Sequence, residues 1–265
     1  MNVPKPAGDA RDAAVQRIVV GSGDATRDIA VLAGLGAAPA VLWLSGLKSD
    51  MRSTKATALA EWAERKGRAC VRFDYSGHGA SGGRFEDGTI GRWLEESLAV
   101  IRAQVGRHVL VGSSMGGWIA LLAARVLAEG GEGSRLAGMV LIAPAVDFTQ
   151  ALIWDRLPIK IRRQIEKKGA WQRPSEYSPE PYPITRGLIE EGRRHLLFGG
   201  PIRTGCPVHI LQGMQDMDVP WRHAMTLVEH LAGDPVTLTL VKDGDHRLSR
   251  EADIARLLAA VEAIA

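Results

Sequence analysis

Val109-Leu110-Val111-Gly112-Ser113-Ser114-Met115-Gly116-Gly117-Trp118 runs an apolar, β-branched stretch into G-x-S-x-G and then into an apolar segment of helical period. A serine between a strand and a helix must occupy a tight turn, with its hydroxyl projecting from the sheet edge. Small residues two positions either side let strand and helix approach that closely. The helix start aims backbone N–H groups at the same point, which favours an oxyanion. Ser114 is therefore the candidate nucleophile, and the Met115 N–H a candidate oxyanion donor. A second match, Gly79-Ala80-Ser81-Gly82-Gly83, stands several residues past its strand and leads into a polar loop, so Ser81 lacks this context. Ser113 lacks the flanking glycines.

Outward from this stretch, short aliphatic or β-branched runs alternate with longer segments of helical period, the pattern of a mostly parallel sheet with helices on both faces. Strands are expected at 15–20, 28–32, 40–44, 69–73, 108–112, 138–143, 207–212 and 236–241, and helices at 54–65, 90–105, 116–129, 221–231 and 250–264. The first two strands have no helix between them, so the eight-stranded α/β sheet should open with an antiparallel hairpin or meander. About sixty residues separate the strand ending at Ala143 from the one starting at Pro207, far more than the roughly 10 to 15 of a plain crossover helix. Within that interval Leu157, Ile161 and Ile165 form an i, i+4, i+8 stripe behind Pro158, and a connecting helix is expected near 184–198. Trp154, Trp171, Tyr177 and Tyr182 supply aromatic burial, so residues 147–200 are expected to form a helical cap over the carboxyl edge of the sheet. The cap is read as an insertion within one domain, 1–265.

A serine hydroxyl needs a base, and the base needs an orienting carboxylate, in the chain order Ser, acid, His on this kind of sheet. Of seven histidines, His246 in Lys242-Asp243-Gly244-Asp245-His246-Arg247 falls between the last strand and the terminal helix, where the base belongs. His78 and His108 precede the nucleophile, His223 and His230 lie on a helix, and His209 sits in a strand. The favoured acid is Asp216, three residues past the glycine that ends the penultimate strand. Asp218, which an N-cap role would explain, and Asp147 are the alternatives. The second oxyanion donor is expected from Trp43-Leu44-Ser45-Gly46-Leu47-Lys48, through the Leu47 N–H. In the cap, Trp154, Leu157 and Trp171, with Leu152 and Ile153, are candidates to line a substrate pocket; plain packing of the cap on the core is the competing role.

Composition narrows the field. With 265 residues and 46% hydrophobic side chains the chain can bury a full core without staples, which excludes a disulfide scaffold and a disordered tail. A net charge of +3, from 33 basic and 30 acidic residues, is too small to argue for a nucleic-acid protein. Cys70 and Cys206 are far apart and suggest neither a zinc site nor a redox pair. Gly21-Ser22-Gly23 lacks the dinucleotide spacing, and there is no H-E-x-x-H, P-loop or clustered His/Cys set, so neither cofactor nor metal is called for. The N-terminal stretch, with two prolines and two aspartates, fits no signal or transit peptide, and no run approaches the roughly 20 apolar residues of a membrane span. A cytoplasmic enzyme is expected. The basic charge is concentrated: residues 156–173 carry Arg156, Lys160, Arg162, Arg163, Lys167, Lys168 and Arg173 against Glu166 alone. This is either a solvated helix face or a steering surface for anionic substrates.

The residues together resemble the α/β-hydrolase superfamily across nearly the whole chain. Asp74-Tyr75-Ser76-Gly77-His78-Gly79-Ala80-Ser81 is similar to its Asp-x-x-Gly-His-Gly-x-Ser turn, in which the resemblance makes His78 structural. Gly46-Leu47-Lys48-Ser49-Asp50-Met51 with Thr54-Lys55-Ala56, Cys70 to Gly77, Lys168-Gly169-Ala170-Trp171 with Pro174-Ser175-Glu176-Tyr177-Ser178, Asp216-x-x-Val219-Pro220-Trp221 and Asp245-His246-Arg247 resemble a narrower group. That group is the mitochondrial palmitoyl-protein thioesterase, also called mycophenolic acid acyl-glucuronide esterase, and its bacterial relatives. The resemblance implies an α/β-hydrolase fold and a serine hydrolase of carboxylic esters or thioesters, acting on a small ester or an acylated protein through an acyl-enzyme. A carbon–carbon bond hydrolase, or a non-catalytic binding protein of the same fold, are the alternatives.

Overall fold

The computed structural model describes residues 14–175 and 179–265; Tyr177 and its neighbours Glu176 and Ser178 lie outside the described residues, as do residues 1–13. In chain order the elements are β1 (Gln16–Val20), β2 (Arg27–Gly34), β3 (Ala37–Leu44), α1 (Thr54–Arg65), β4 (Arg68–Phe73), α2 (Ile90–Ala103), β5 (His108–Ser113), α3 (Met115–Glu129) and β6 (Leu136–Ile142). There follow α4 (Ile159–Lys168), β7 (Ala170–Arg173), β8 (Tyr182–Thr185), α5 (Arg186–Gly192), β9 (Val208–Gly213), α6 (Trp221–His230), β10 (Val236–Val241) and α7 (Glu251–Ile264). Eight strands form one sheet in the order β1-β2-β4-β3-β5-β6-β9-β10. β2 runs antiparallel to both its neighbours, and every pairing from β4 to β10 is parallel. The expected antiparallel opening is present.

Alternation along the central strands splits the core in two. Leu42, Leu44 and Leu110 face one side with Trp93, Trp118, Leu121 and Leu227 from α2, α3 and α6. Val41, Trp43, Val109 and Val111 face the other with Leu59, Trp62, Leu257 and Val261 from α1 and α7. A strand buried on both faces reads as a continuous apolar run, which is why Val109 to Val111 carries no polar alternation.

The insertion between β6 and β9 departs from the sequence expectation. It contains a π-helical turn at Thr149–Ile153, a 3-10 turn at Trp154–Arg156, α4, and an antiparallel hairpin pairing Trp171 with Ile184. The expected helix near 184–198 shortens to α5: Pro181 and Pro183 flank Tyr182 and favour extended backbone before it, and a 3-10 turn at Arg193–His195 follows it. Thr185 then caps α5, accepting the Leu188 N–H. Of the Leu157, Ile161 and Ile165 stripe only Ile165 is fully buried, and Pro158 stands at the N-cap of α4.

Candidate active site

Ser114 follows the last residue of β5 and caps α3 with φ 53 and ψ −117, a backbone conformation that a residue with a side chain rarely adopts. The turn holds because neighbouring backbones lie against it: the Ser114 N–H donates to the Ile142 carbonyl at 2.8 Å, and the Ser114 carbonyl accepts from Gly117 and Ala145. The flanking glycines are there for close approach. A Cβ on Gly116 would lie 2.1 Å from the Leu44 carbonyl oxygen, and one on Gly112 would lie 2.5 Å from that of Gly116.

The loop after β10 brings His246 to this serine. His246 Nε2 lies 3.2 Å from Ser114 Oγ, and His246 Nδ1 lies 2.7 Å from Asp216 Oδ2. Asp216 comes from the loop after β9, and its carboxylate is wholly buried. Its Oδ1 accepts the N–H groups of Asp218 and Val219 at 2.9 and 2.8 Å, and its Oδ2 also accepts from Gln212 Nε2 at 3.1 Å. A carboxylate held by three donors cannot rotate away from the imidazole. With Nδ1–H directed at Asp216, Nε2 is left to accept from the serine hydroxyl, the arrangement that general-base activation of an alcohol requires.

The two alternative acids are committed elsewhere. Asp147 accepts the backbone N–H groups of Leu197 and Phe198, fastening the end of the insertion. Asp218 receives Arg173 from β7 at 3.0 Å, while the N-cap of α6 is Pro220, so Asp218 does not have the capping role expected of it. Ser81 is structural: its Oγ donates to the Asp74 carbonyl and accepts the Ala30 N–H. His209, His223 and His230 bond to groups away from Ser114.

Ser114 and His246 open onto a cavity of about 440 Å3. Gly46, Leu47 and Met115 are on its wall, and neither the Leu47 nor the Met115 N–H donates to a backbone carbonyl among the described residues. The apolar part of the wall is Ala145, Phe148, Leu152, Ile153 and Val219. The other part is charged and polar, with Lys48, Lys55, Arg173, Glu180, Tyr182 and Arg247.

Three residues expected to line the pocket do not. Trp154 packs between the guanidinium groups of Arg162 and Arg193, at 5.6 and 5.1 Å from its ring. Leu157 and Trp171 pack against the core cluster behind the wall. Leu152 and Ile153, on the π-helical turn, line the cavity instead. Sequence reasoning missed Gln212, Lys55 and Arg173. A polar residue at the end of the apolar run Val208–Gly213 was the only signal for Gln212. Lys55, reaching from α1 to the Arg247 carbonyl and to Ser249 Oγ, supports the loop carrying His246. Burial, and then the neighbouring Arg247, lowers its pKa to about 8.

The fold and this geometry define an α/β hydrolase, and the chain belongs to the α/β hydrolase family, whose model matches residues 31–261. Human palmitoyl-protein thioesterase ABHD10, mitochondrial, is 36% identical over 229 residues, covering 86% of this chain and 73% of that protein. Among solved structures, a putative hydrolase from Agrobacterium vitis S4 is 51% identical with a TM-score of 0.92, covering 95% of this chain and 98% of that one. The mouse α/beta hydrolase domain-containing protein 10 is 32% identical with a TM-score of 0.83, covering 94% and 97%. Among the described residues no helix is long and apolar enough to cross a membrane.

Proposed function

We propose that this protein is a serine hydrolase cleaving carboxylic esters or thioesters through an acyl-enzyme, with Ser114 as nucleophile, His246 as base and Asp216 as its orienting acid. One observation carries it: the bonded series Ser114 Oγ, His246, Asp216 at 3.2 and 2.7 Å on the wall of a cavity. His246 Nε2 takes the hydroxyl proton as Ser114 Oγ attacks the acyl carbon, and the Leu47 and Met115 N–H groups hold the tetrahedral oxyanion. The imidazolium then protonates the departing alcohol or thiol, and water activated by His246 releases the acid. Residues 147–200 serve as a cap within one domain, with the acyl group against Phe148, Leu152 and Ile153. The thioesterase name of the human relative supports a thioester or ester as the bond cleaved.

Ser114→Ala should abolish turnover of a p-nitrophenyl ester, and a fluorophosphonate should label Ser114 and no other serine, as read by peptide mass mapping. Undiminished turnover in that variant would sink the assignment. Turnover of a diketone ring-cleavage product without ester hydrolysis would move the reaction to carbon–carbon bonds. A cytoplasmic location belongs to the same proposal, supported by two buried, unpaired cysteines that suit a reducing compartment; a fluorescent fusion found outside the cytoplasm would overturn it.

A further inference from the structure

The Asp74 to Ser81 turn touches the oxyanion loop, and its histidine does more there than fill space. His78 is 4% exposed, and its Nε2 accepts the Lys48 backbone N–H at 3.1 Å. Its Nδ1 lies 3.2 Å from the Ser76 carbonyl oxygen. A carbonyl can only accept and an N–H can only donate, so the ring must be neutral with its proton on Nδ1. Burial lowers its pKa to about 4, in keeping with that state. The peptide it grips, Leu47–Lys48, is next to the one that supplies the Leu47 N–H.

The other side of the loop is also held. The Gly46 carbonyl accepts the Ser49 N–H at 3.1 Å, and Asp74 Oδ1 accepts the Met51 N–H at 2.6 Å. Between these points Lys48 has φ 60, a left-handed value that needs outside support in a residue with a Cβ. Support runs back into the core. Ser76 donates its N–H to Glu96 Oε2 at 2.9 Å, and the wholly buried Glu96 receives Arg27 Nε at 2.7 Å. Tyr75, Phe85 and Trp93 enclose the imidazole, with ring centroids 5.9, 5.2 and 5.3 Å away.

We propose that His78 is a positioning residue for the oxyanion: it holds the Leu47–Lys48 peptide so that the adjacent Leu47 N–H points at the site where charge develops on the acyl oxygen. This rests on the Ser114 reading above. A donor matters most when its orientation is set before the charge forms, so loss of the grip should act on the transition state more than on the bound substrate.

The test compares His78→Phe, which keeps an aromatic ring and lacks the acceptor, with His78→Gln, whose carboxamide can accept from Lys48 and donate to Ser76. Activity is normalised to fluorophosphonate-titrated Ser114, so that misfolded protein is not counted. For a p-nitrophenyl ester, His78→Phe should lose roughly tenfold to a hundredfold in kcat with KM within about twofold, and His78→Gln should recover most of the loss. Affinity for a trifluoromethyl ketone, which forms a tetrahedral oxyanion on serine, should fall with kcat. If His78→Phe does not fold, His78→Asn replaces it, since its carboxamide reaches Ser76 and is too short for Lys48. Native kcat per titrated site in the folded acceptor-less variant overturns the proposal, as does a loss that His78→Gln fails to restore. If wild-type Ser114 is not labelled, or Ser114→Ala keeps its turnover, it is the Ser114 reading that fails.

Discussion

Ser114 can hold φ 53 only because β3, β6 and α3 crowd the turn from three sides. Gly116→Ala places a methyl 2.1 Å from the Leu44 carbonyl oxygen, and β3 cannot retreat without breaking its register with β5. A stability loss of roughly 1–3 kcal/mol is expected in urea unfolding, together with slower labelling of Ser114. Asp216→Asn should leave the fold intact and lower kcat on the order of 10^3 to 10^4, because a carboxamide can present its NH2 to Nδ1 and select the wrong tautomer. A kcat within tenfold of wild type would exclude the orienting role. His78 has a separate consequence for pH. Its pKa is 6.5 in an ordinary setting and about 4 when buried, so the unfolded chain takes up the proton first as pH falls. The stability from its neutral ring is complete above pH 6.5 and gone below about 4, a change of roughly 3 kcal/mol. Asp74, Glu96 and Asp147, raised by burial, work in the opposite direction, so the measurement is a difference between proteins. His78→Gln should lose less stability than wild type between pH 6.5 and 4 in parallel denaturant titrations.

At the scale of elements, the strands and helices of the core were legible because each has one strong period. The run 236–241 and the segment 54–65 match β10 and α1 to the residue. The insertion was not, since Leu157, Ile161, Trp154 and Trp171 make an apolar pattern that suits either packing or a pocket wall. The residues it gives to the cavity, Leu152 and Ile153, lie on the π-helical turn, an i→i+5 geometry that no apolar period in the sequence signals. Ile153→Ala should therefore shift activity across a series of ester chain lengths toward bulkier acyl groups. Trp154→Ala should lower the Tm, through loss of its packing between Arg162 and Arg193, and leave the chain-length profile unchanged. A profile that moved only with Trp154 would reverse this assignment of the wall.

At the scale of the molecule, the charge that composition reports as +3 is polarised. Arg156, Lys160, Arg163, Lys167 and Lys168 are exposed along one segment, while Arg173 turns inward to Asp218 at the cavity. If this surface steers anions, kcat/KM for an anionic ester should fall between about 10 and 150 mM salt, where the screening length shrinks from about 30 to 8 Å, and kcat/KM for a neutral ester should not. Lys160→Glu with Lys167→Glu should remove the salt dependence; an unchanged slope would make these residues a solvated face. Sequence by itself determined the α/β architecture, the elbow at Ser114 and the loop that presents His246, because periodicity and turn chemistry are local properties of the chain. Only tertiary structure decided which of Asp216, Asp218 and Asp147 meets His246, which side chains wall the cavity, and that His78 grips Lys48. Those outcomes depend on which backbone N–H groups and carbonyls meet across loops distant in sequence, and no local pattern encodes that meeting.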